Sequence, residues 1–144
     1  MRGFPKVRLI AVGKIKKPWI QSGIQGYGKR LPELSTTEIK DTNPEAEARK
    51  MLSMTRSGDR LIALSEDGTT LTSTELAKLL GAAASNTLVF CIGGPSGISP
   101  TLRQAAHQIL SLSPMTFPHE IARLLLIEQI YRAKTILQGG TYHK

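Results

Sequence analysis

Short unbroken apolar runs, spaced by stretches of helical periodicity, organise this chain of 144 residues. The first, Val7-Arg8-Leu9-Ile10-Ala11-Val12-Gly13, is rich in β-formers and closed by glycine, as a strand should be. Arg60-Leu61-Ile62-Ala63-Leu64-Ser65 and Thr87-Leu88-Val89-Phe90-Cys91-Ile92 read the same way. Glu66-Asp67-Gly68 follows one of them as a turn, and Gly93 follows the other. A weaker strand is predicted over 36–40 and a last one over 109–115.

Helices are expected between these runs. Pro18-Trp19 opens one that reaches about residue 31, with Ile20, Ile24 and Tyr27 on one face and Gly23, Gly26 and Gly28 weakening it. Pro44 starts another to about residue 54, with Glu45 and Glu47 near the positive end of its dipole. Ser73-Thr74-Glu75 opens a helix over 76–84, Ser99-Pro100 one over 101–108, and the last runs over 118–137. Strand and helix alternate about five times with no repeat and no linker. Continuously apolar strands are buried on both faces, which predicts an α/β domain spanning 1–144, its mostly parallel sheet covered by helices on both sides. Such sheets bind ligands beyond the carboxyl ends of their strands. Here those ends are Gly13, Leu64-Ser65, Gly93-Gly94 and the segment 112–116.

The final helix is apolar nearly all round: Ile121, Leu124, Leu125, Ile127, Ile130 and Ile136 leave almost no polar stripe. A helix of that kind needs cover on two sides. The sheet supplies one, and a second copy of the chain is the expected source of the other.

Charge adds a partner class. The protein carries a formal +8, and residues 1–40 hold nine Lys/Arg against Glu33 and Glu38, a net of +7. A basic patch so localised suits a polyanion, although a solvated surface is the plainer reading. Aromatic residues in that segment are few (Trp19 and Tyr27 beside Phe4), so base stacking is weakly signalled. No apolar run approaches the ~18 residues a membrane span needs, the N-terminal run is too short for a signal peptide, and a cytoplasmic location is expected. One cysteine, Cys91, excludes an internal disulfide and reads as a buried apolar side chain. His107, His119 and His143 show no metal-ligand spacing, so no metal is expected.

Three stretches could carry chemistry. Gly93-Gly94-Pro95-Ser96-Gly97 fits neither the dinucleotide fingerprint nor a phosphate loop. Its glycines still let backbone approach a flat ligand closely, or form a plain turn. Ser113-Pro114-Met115-Thr116-Phe117-Pro118 leaves a strand between two prolines, so its amides lack regular partners and are open to a ligand. Met115 and Phe117, each taken alone, read better as core. On the final helix, His119, Arg123, Glu128 and Arg132 need partners, and ion pairing explains them as well as catalysis does. His143 could act as a base only if the tail is ordered.

Taken together, Leu9-Ile10-Ala11-Val12-Gly13-Lys14, Ile92-Gly93-Gly94-Pro95-Ser96-Gly97, the segment 112–119, Leu126-Ile127-Glu128-Gln129-Ile130-Tyr131-Arg132-Ala133 and Tyr142-His143-Lys144 closely resemble the ribosomal RNA large-subunit methyltransferase H family, of the SPOUT class. Each motif is weak alone; their order and spacing are specific, and they span the whole chain. The chain departs from the pattern in a short stretch around 41–50. The resemblance implies a SPOUT fold with a C-terminal trefoil knot, a homodimer, and no appended RNA-binding module. It implies methyl transfer from S-adenosylmethionine to N3 of a pseudouridine in the intersubunit-bridge stem-loop of 23S ribosomal RNA.

By motif position, the cofactor loops it implies are Leu64 with Ser65, Gly93 with Gly94, and Leu112, Ser113, Pro114, Met115, Thr116 and Phe117. Tyr142, His143 and Arg132 are expected around the target base, His143 as the favoured proton acceptor and His119 as the second. One subunit is expected to serve the other's cofactor. Two rival readings share the basic patch: a SPOUT enzyme acting on another rRNA or tRNA nucleotide, and a non-enzymatic ribosome-associated RNA-binding protein.

Overall fold

A computed structural model describes residues 4–144. Strand β1 (Lys6–Val12) leads through a basic loop into α1 (Pro18–Gly28), then β2 (Leu34–Ile39) and α2 (Pro44–Ser53). Next come β3 (Arg60–Thr70), α3 (Ser73–Ala82) and β4 (Thr87–Ile92). The chain ends with α4 (Pro100–Ala105), β5 (Gln108–Ser111) and α5 (His119–Leu137). The strands form a five-stranded sheet in the order β2-β1-β4-β3-β5, with every neighbouring pair parallel.

Alternate residues of each strand feed opposite cores, as the pleat requires. Leu9 and Ala11 of β1 join Leu76, Ala77 and Leu80 of α3 and Leu126, Ile127 and Ile130 of α5. Ile10 and Val12 face the other way, toward Ala48 and Met51 of α2 and Leu102 of α4. The sheet is therefore wrapped by α1, α3 and α5 on one face and by α2 and α4 on the other, the expected three-layer α/β architecture. Cys91 is buried in the second core, and burial pushes its thiol up to about 12.

Three expectations need correction. The strand beginning at Arg60 does not end at Glu66-Asp67-Gly68; β3 runs on to Thr70. Its pairing with β5 breaks between Leu64 and Thr69, both of which oppose Leu110, so residues 65–68 form a bulge. Gly68 is required there, since a Cβ on it would lie 2.7 Å from the Ile109 carbonyl oxygen. The turn signal was genuine, but it marks a bulge inside the strand rather than its end.

The helix opened by Ser99-Pro100 stops at Ala105, short of residue 108. His107 stops it: its amide donates to the Leu61 carbonyl at 2.8 Å, and its Nδ1 accepts from the Leu61 amide at 2.9 Å. The chain therefore enters β5 early, and β5 ends at Ser111 rather than at 115.

Within the chain, the sheet is not the only cover for α5. Helices α1 and α3 pack along its two flanks. Gly23 lets α1 close in, because a Cβ there would sit 3.1 Å from Leu124 Cδ1. Leu125 and Leu137 remain exposed, so the uncovered apolar strip is narrower than the sequence implies.

Candidate functional site

The parallel register brings the carboxyl ends of β1 and β4 beside the bulge of β3: Ala11 pairs with Ile92, and Ala63 with Cys91. Beyond them opens a cavity of about 500 Å³, inside the range of roughly 300–1,000 Å³ for small-molecule sites. One wall is the β3 bulge, with Leu64, Ser65 and Asp67. A second is the turn 93–97. The third is the β5 exit, with Leu112, Ser113, Met115 and Phe117, and His119 at the start of α5 completes the rim.

The glycine turn is a true cradle. Gly97 donates to the Gly94 carbonyl at 3.0 Å, folding the turn back on itself. A Cβ on Gly93 would lie 2.6 Å from the Gly97 carbonyl oxygen, so no side chain fits there. The bulge supplies polarity. Ser65 Oγ donates to Asp67 at 2.6 Å, and Arg103 of α4 donates to Ser65 Oγ at 2.9 Å and to Asp67 at 3.1 Å. The Ser65 hydroxyl, then the Arg103 guanidinium, hold the Asp67 carboxyl below its usual range.

Of the residues expected to hold the cofactor, Leu64, Ser65, Gly93, Gly94, Leu112, Ser113, Met115 and Phe117 line this cavity. Pro114 and Thr116 lie in the same loop, are exposed, and do not line it. Met115 is 73% exposed, which overturns its reading as core; Phe117 is half-buried. Among the described residues, no group of three or more His, Cys, Asp or Glu side chains is placed to hold a metal ion.

His119 is the one expected catalytic residue at the cavity. The other three meet at the far end of α5. Gly139, with φ of 72°, reverses the chain after the helix; its amide reaches Ile136 at 3.2 Å and that of Gly140 reaches Thr135 at 2.8 Å. The tail is thereby folded back. Arg132 donates to Glu128 at 2.8 Å and contacts His143 Nδ1 at 3.0 Å. Tyr142 donates to Glu128 at 2.7 Å, shares a 3.2 Å hydroxyl contact with Tyr27, and packs edge-on against Tyr131 with centroids 4.9 Å apart. The Arg132 guanidinium lies 4.8 Å from the Tyr142 ring centroid, a cation–π distance.

The hydrogen bond with Tyr27, partial burial and the Glu128 carboxylate all push the Tyr142 phenol up, so it stays protonated at neutral pH and donates. Glu128 raises Arg132 further, making it a permanent cation. Arginine only donates, so the His143 Nδ1 facing it accepts, and a neutral ring then carries its proton on Nε2. His119 and Arg132 stand about 20 Å apart along α5, at 1.5 Å per residue.

Sequence reasoning missed Arg103 and Asp67 at the cavity and Tyr27 in the tail cluster. Arg103 and Asp67 are joined only by tertiary folding across a bulge that reads as a turn. Tyr27 carried a signal, since its position on the inner face of α1 aims it at α5.

The family described as "Predicted SPOUT methyltransferase" matches residues 6–143. A protein named ribosomal RNA large subunit methyltransferase H from Synechococcus sp. (strain RCC307) is 50% identical over 139 residues, covering 96% of this chain and 95% of that one. A protein of the same name from Prochlorococcus marinus (strain MIT 9303) is 52% identical over 137 residues, covering 95% of this chain and 91% of that one. With the parallel sheet, the strand-end cavity and a match over nearly its whole length, the chain belongs to the SPOUT methyltransferase family.

Proposed function

We propose that this protein transfers a methyl group from S-adenosylmethionine to N3 of a pseudouridine in the intersubunit-bridge stem-loop of 23S ribosomal RNA, and that it works as a homodimer. The relatives' names point to large-subunit rRNA. The observation that carries the reading is the division of the site: a small-molecule cavity at one end of α5 and a cluster of Arg132, Tyr142 and His143 at the other. Neither half suffices alone. A second copy packed across α5 brings its tail cluster to the first copy's cavity. The C-terminal knot implied by the resemblance belongs to the same proposal.

The cavity fits the cofactor on size and on lining, with a backbone cradle at Gly93 and the polar Ser65-Asp67-Arg103 group beside it. When bound, S-adenosylmethionine supplies a methyl group on a sulfonium, a strong electrophile that needs no covalent help from the protein. The residues therefore have two tasks, positioning the base and taking its N3 proton. Arg132 and the Tyr142 phenol orient the base as donors. His143 accepts the N3 proton once the base has displaced Arg132 from Nδ1, and His119 on the cavity rim is the alternative acceptor. Lysines and arginines of residues 1–40 meet rRNA phosphates, so ribosome binding weakens steeply with salt.

A calorimetric titration with S-adenosylmethionine, followed by mass mapping of rRNA methylated in vitro, tests this. Binding of the cofactor and a methyl group on N3 of one pseudouridine are expected. A methyl group on another nucleotide would redirect the substrate assignment, and an absence of cofactor binding would end the enzymatic reading.

A further inference from the structure

The loop between β1 and α1, residues 13–17, is held by the first turns of α5 at both ends. At its start, the Gly13 carbonyl accepts from Arg123 at 2.9 Å; the Arg123 side chain is 3% exposed and also pairs with Glu38. At its end, Glu120 accepts from the amides of Lys16 at 3.0 Å and Lys17 at 3.2 Å. These amide bonds, that of Lys17 foremost, hold the Glu120 carboxyl below its usual range. Glu120 follows His119 directly, so the residues that fix this loop are continuous with the cavity rim.

The lysine side chains of the loop point away from the contacts that hold its backbone. Lys14, Lys16 and Lys17 are exposed, and among the described residues none of them forms an ion pair. Trp19, two residues beyond Lys17, is 60% exposed. A buried arginine and a carboxylate thus anchor the backbone of a loop whose outward face offers three cations without ion-pair partners among the described residues and an indole. Cations placed this way suit phosphates, and an open indole suits an unpaired base.

We infer that residues 13–19 form a preset grip for single-stranded RNA beside the cavity, with Lys14, Lys16 and Lys17 on phosphates, Trp19 under a base, and Glu120 and Arg123 as the positioning residues that aim it. This rests on the rRNA substrate proposed above and assigns it a docking element. Fixing the loop to α5 fixes the distance between the captured phosphates and the cofactor cavity. Positioning of this kind raises the yield of productive encounters, not affinity alone.

The test uses the full chain and co-sedimentation with salt-washed bacterial ribosomes across a salt series, with calorimetric titration of S-adenosylmethionine alongside. Replacing Lys14, Lys16 and Lys17 together by Gln should weaken ribosome binding at least about tenfold and flatten the log–log salt slope by about two to three. Glu120→Ala should weaken it about fivefold, and Glu120→Gln, which keeps an acceptor oxygen, should recover most of that loss. In all three variants cofactor affinity should stay within about twofold of wild type. In the triple-lysine background the Glu120→Ala effect should shrink to the small part carried by Trp19, because Glu120 acts mainly through those lysines.

Additive losses, or a fall in cofactor affinity equal to the fall in ribosome affinity, would make Glu120 a general structural residue and overturn the inference. A change of oligomeric mass in the triple-lysine or Trp19→Ala variant would make the loop a contact between copies, which also overturns it. Wild-type protein that ignores ribosomes would take down the rRNA reading as well; wild-type binding that the triple-lysine variant matches would sink the grip alone.

Discussion

The two ends of α5 are built by opposite means. At its N-terminal end the site is framed by backbone, a glycine cradle, a strand bulge and a strand exit, with the Ser65-Asp67-Arg103 group and His119 at the edge. At its C-terminal end the site is made of side chains, with Arg132, Glu128, Tyr142 and His143 joined by hydrogen bonds and ring contacts. A backbone site holds a ligand of fixed shape and tolerates little change. A side-chain cluster at the end of a chain can open, exchange partners and move a proton. The contrast is the one that the proposed division between holding a methyl donor and acting on a nucleobase calls for.

The sharpest way to break the cavity end is Gly93→Val. The new side chain has no room against the Gly97 carbonyl, so cofactor affinity should fall at least about 100-fold by calorimetry. The tail cluster should stay intact, and ribosome binding with it. Near-normal cofactor binding would show that the cradle is only a turn.

At the tail end, His143→Ala and Arg132→Ala should each lower methyl transfer about 100-fold or more while leaving cofactor affinity unchanged. Arg132→Lys should not restore activity, since a single ammonium cannot replace a fork that engages Glu128 and His143 together. Full rRNA methylation by either alanine variant would remove that residue from the mechanism.

Tyr142→Phe sharpens the comparison further. The ring against Tyr131 remains, while the hydroxyl contacts to Glu128 and Tyr27 are lost. The expected cost is ~1 kcal/mol of tail ordering, or about a fivefold loss of activity in single-turnover assays. A loss as large as that of His143→Ala would make the hydroxyl itself part of the chemistry.

The smallest effect concerns pH at the cavity end. The folded protein holds Glu120 below its usual range, so its stabilisation is complete above the ordinary carboxylate range. It is lost as the pH falls through the depressed folded value. The difference in Tm between wild type and Glu120→Ala should therefore be full at neutral pH and close in acid. A gap that persists in acid would mean that the carboxylate is not its source.

Strand positions, helix faces and most of the cavity lining were legible in the sequence, because each depends on local pattern: apolar runs, glycine at a strand end, proline at a strand exit. The errors fall where distant chain decides local form. Glu66-Asp67-Gly68 has the chemistry of a turn and becomes a bulge because β5 lies against it. His107 ends α4 because Leu61 offers it both a donor and an acceptor. The side-chain half of the site divides likewise. Tyr27 was visible as part of one face of α1, but nothing local named Tyr142, 115 residues away, as its partner. Arg103, reaching Ser65 and Asp67 from α4, was equally hidden.

The central claim is that the cavity of one copy is completed by the tail of another, and subunit mixing tests it most directly. Gly93→Val protein has an intact tail and a ruined cavity; His143→Ala protein has an intact cavity and a ruined tail. Each is inactive alone. Mixed in equal amounts and allowed to exchange subunits, half the dimers would be mixed, each with one competent site, giving about one quarter of wild-type rRNA methylation. A mixture that exchanges subunits and remains inactive would contradict the account, because it would mean that each chain uses its own tail.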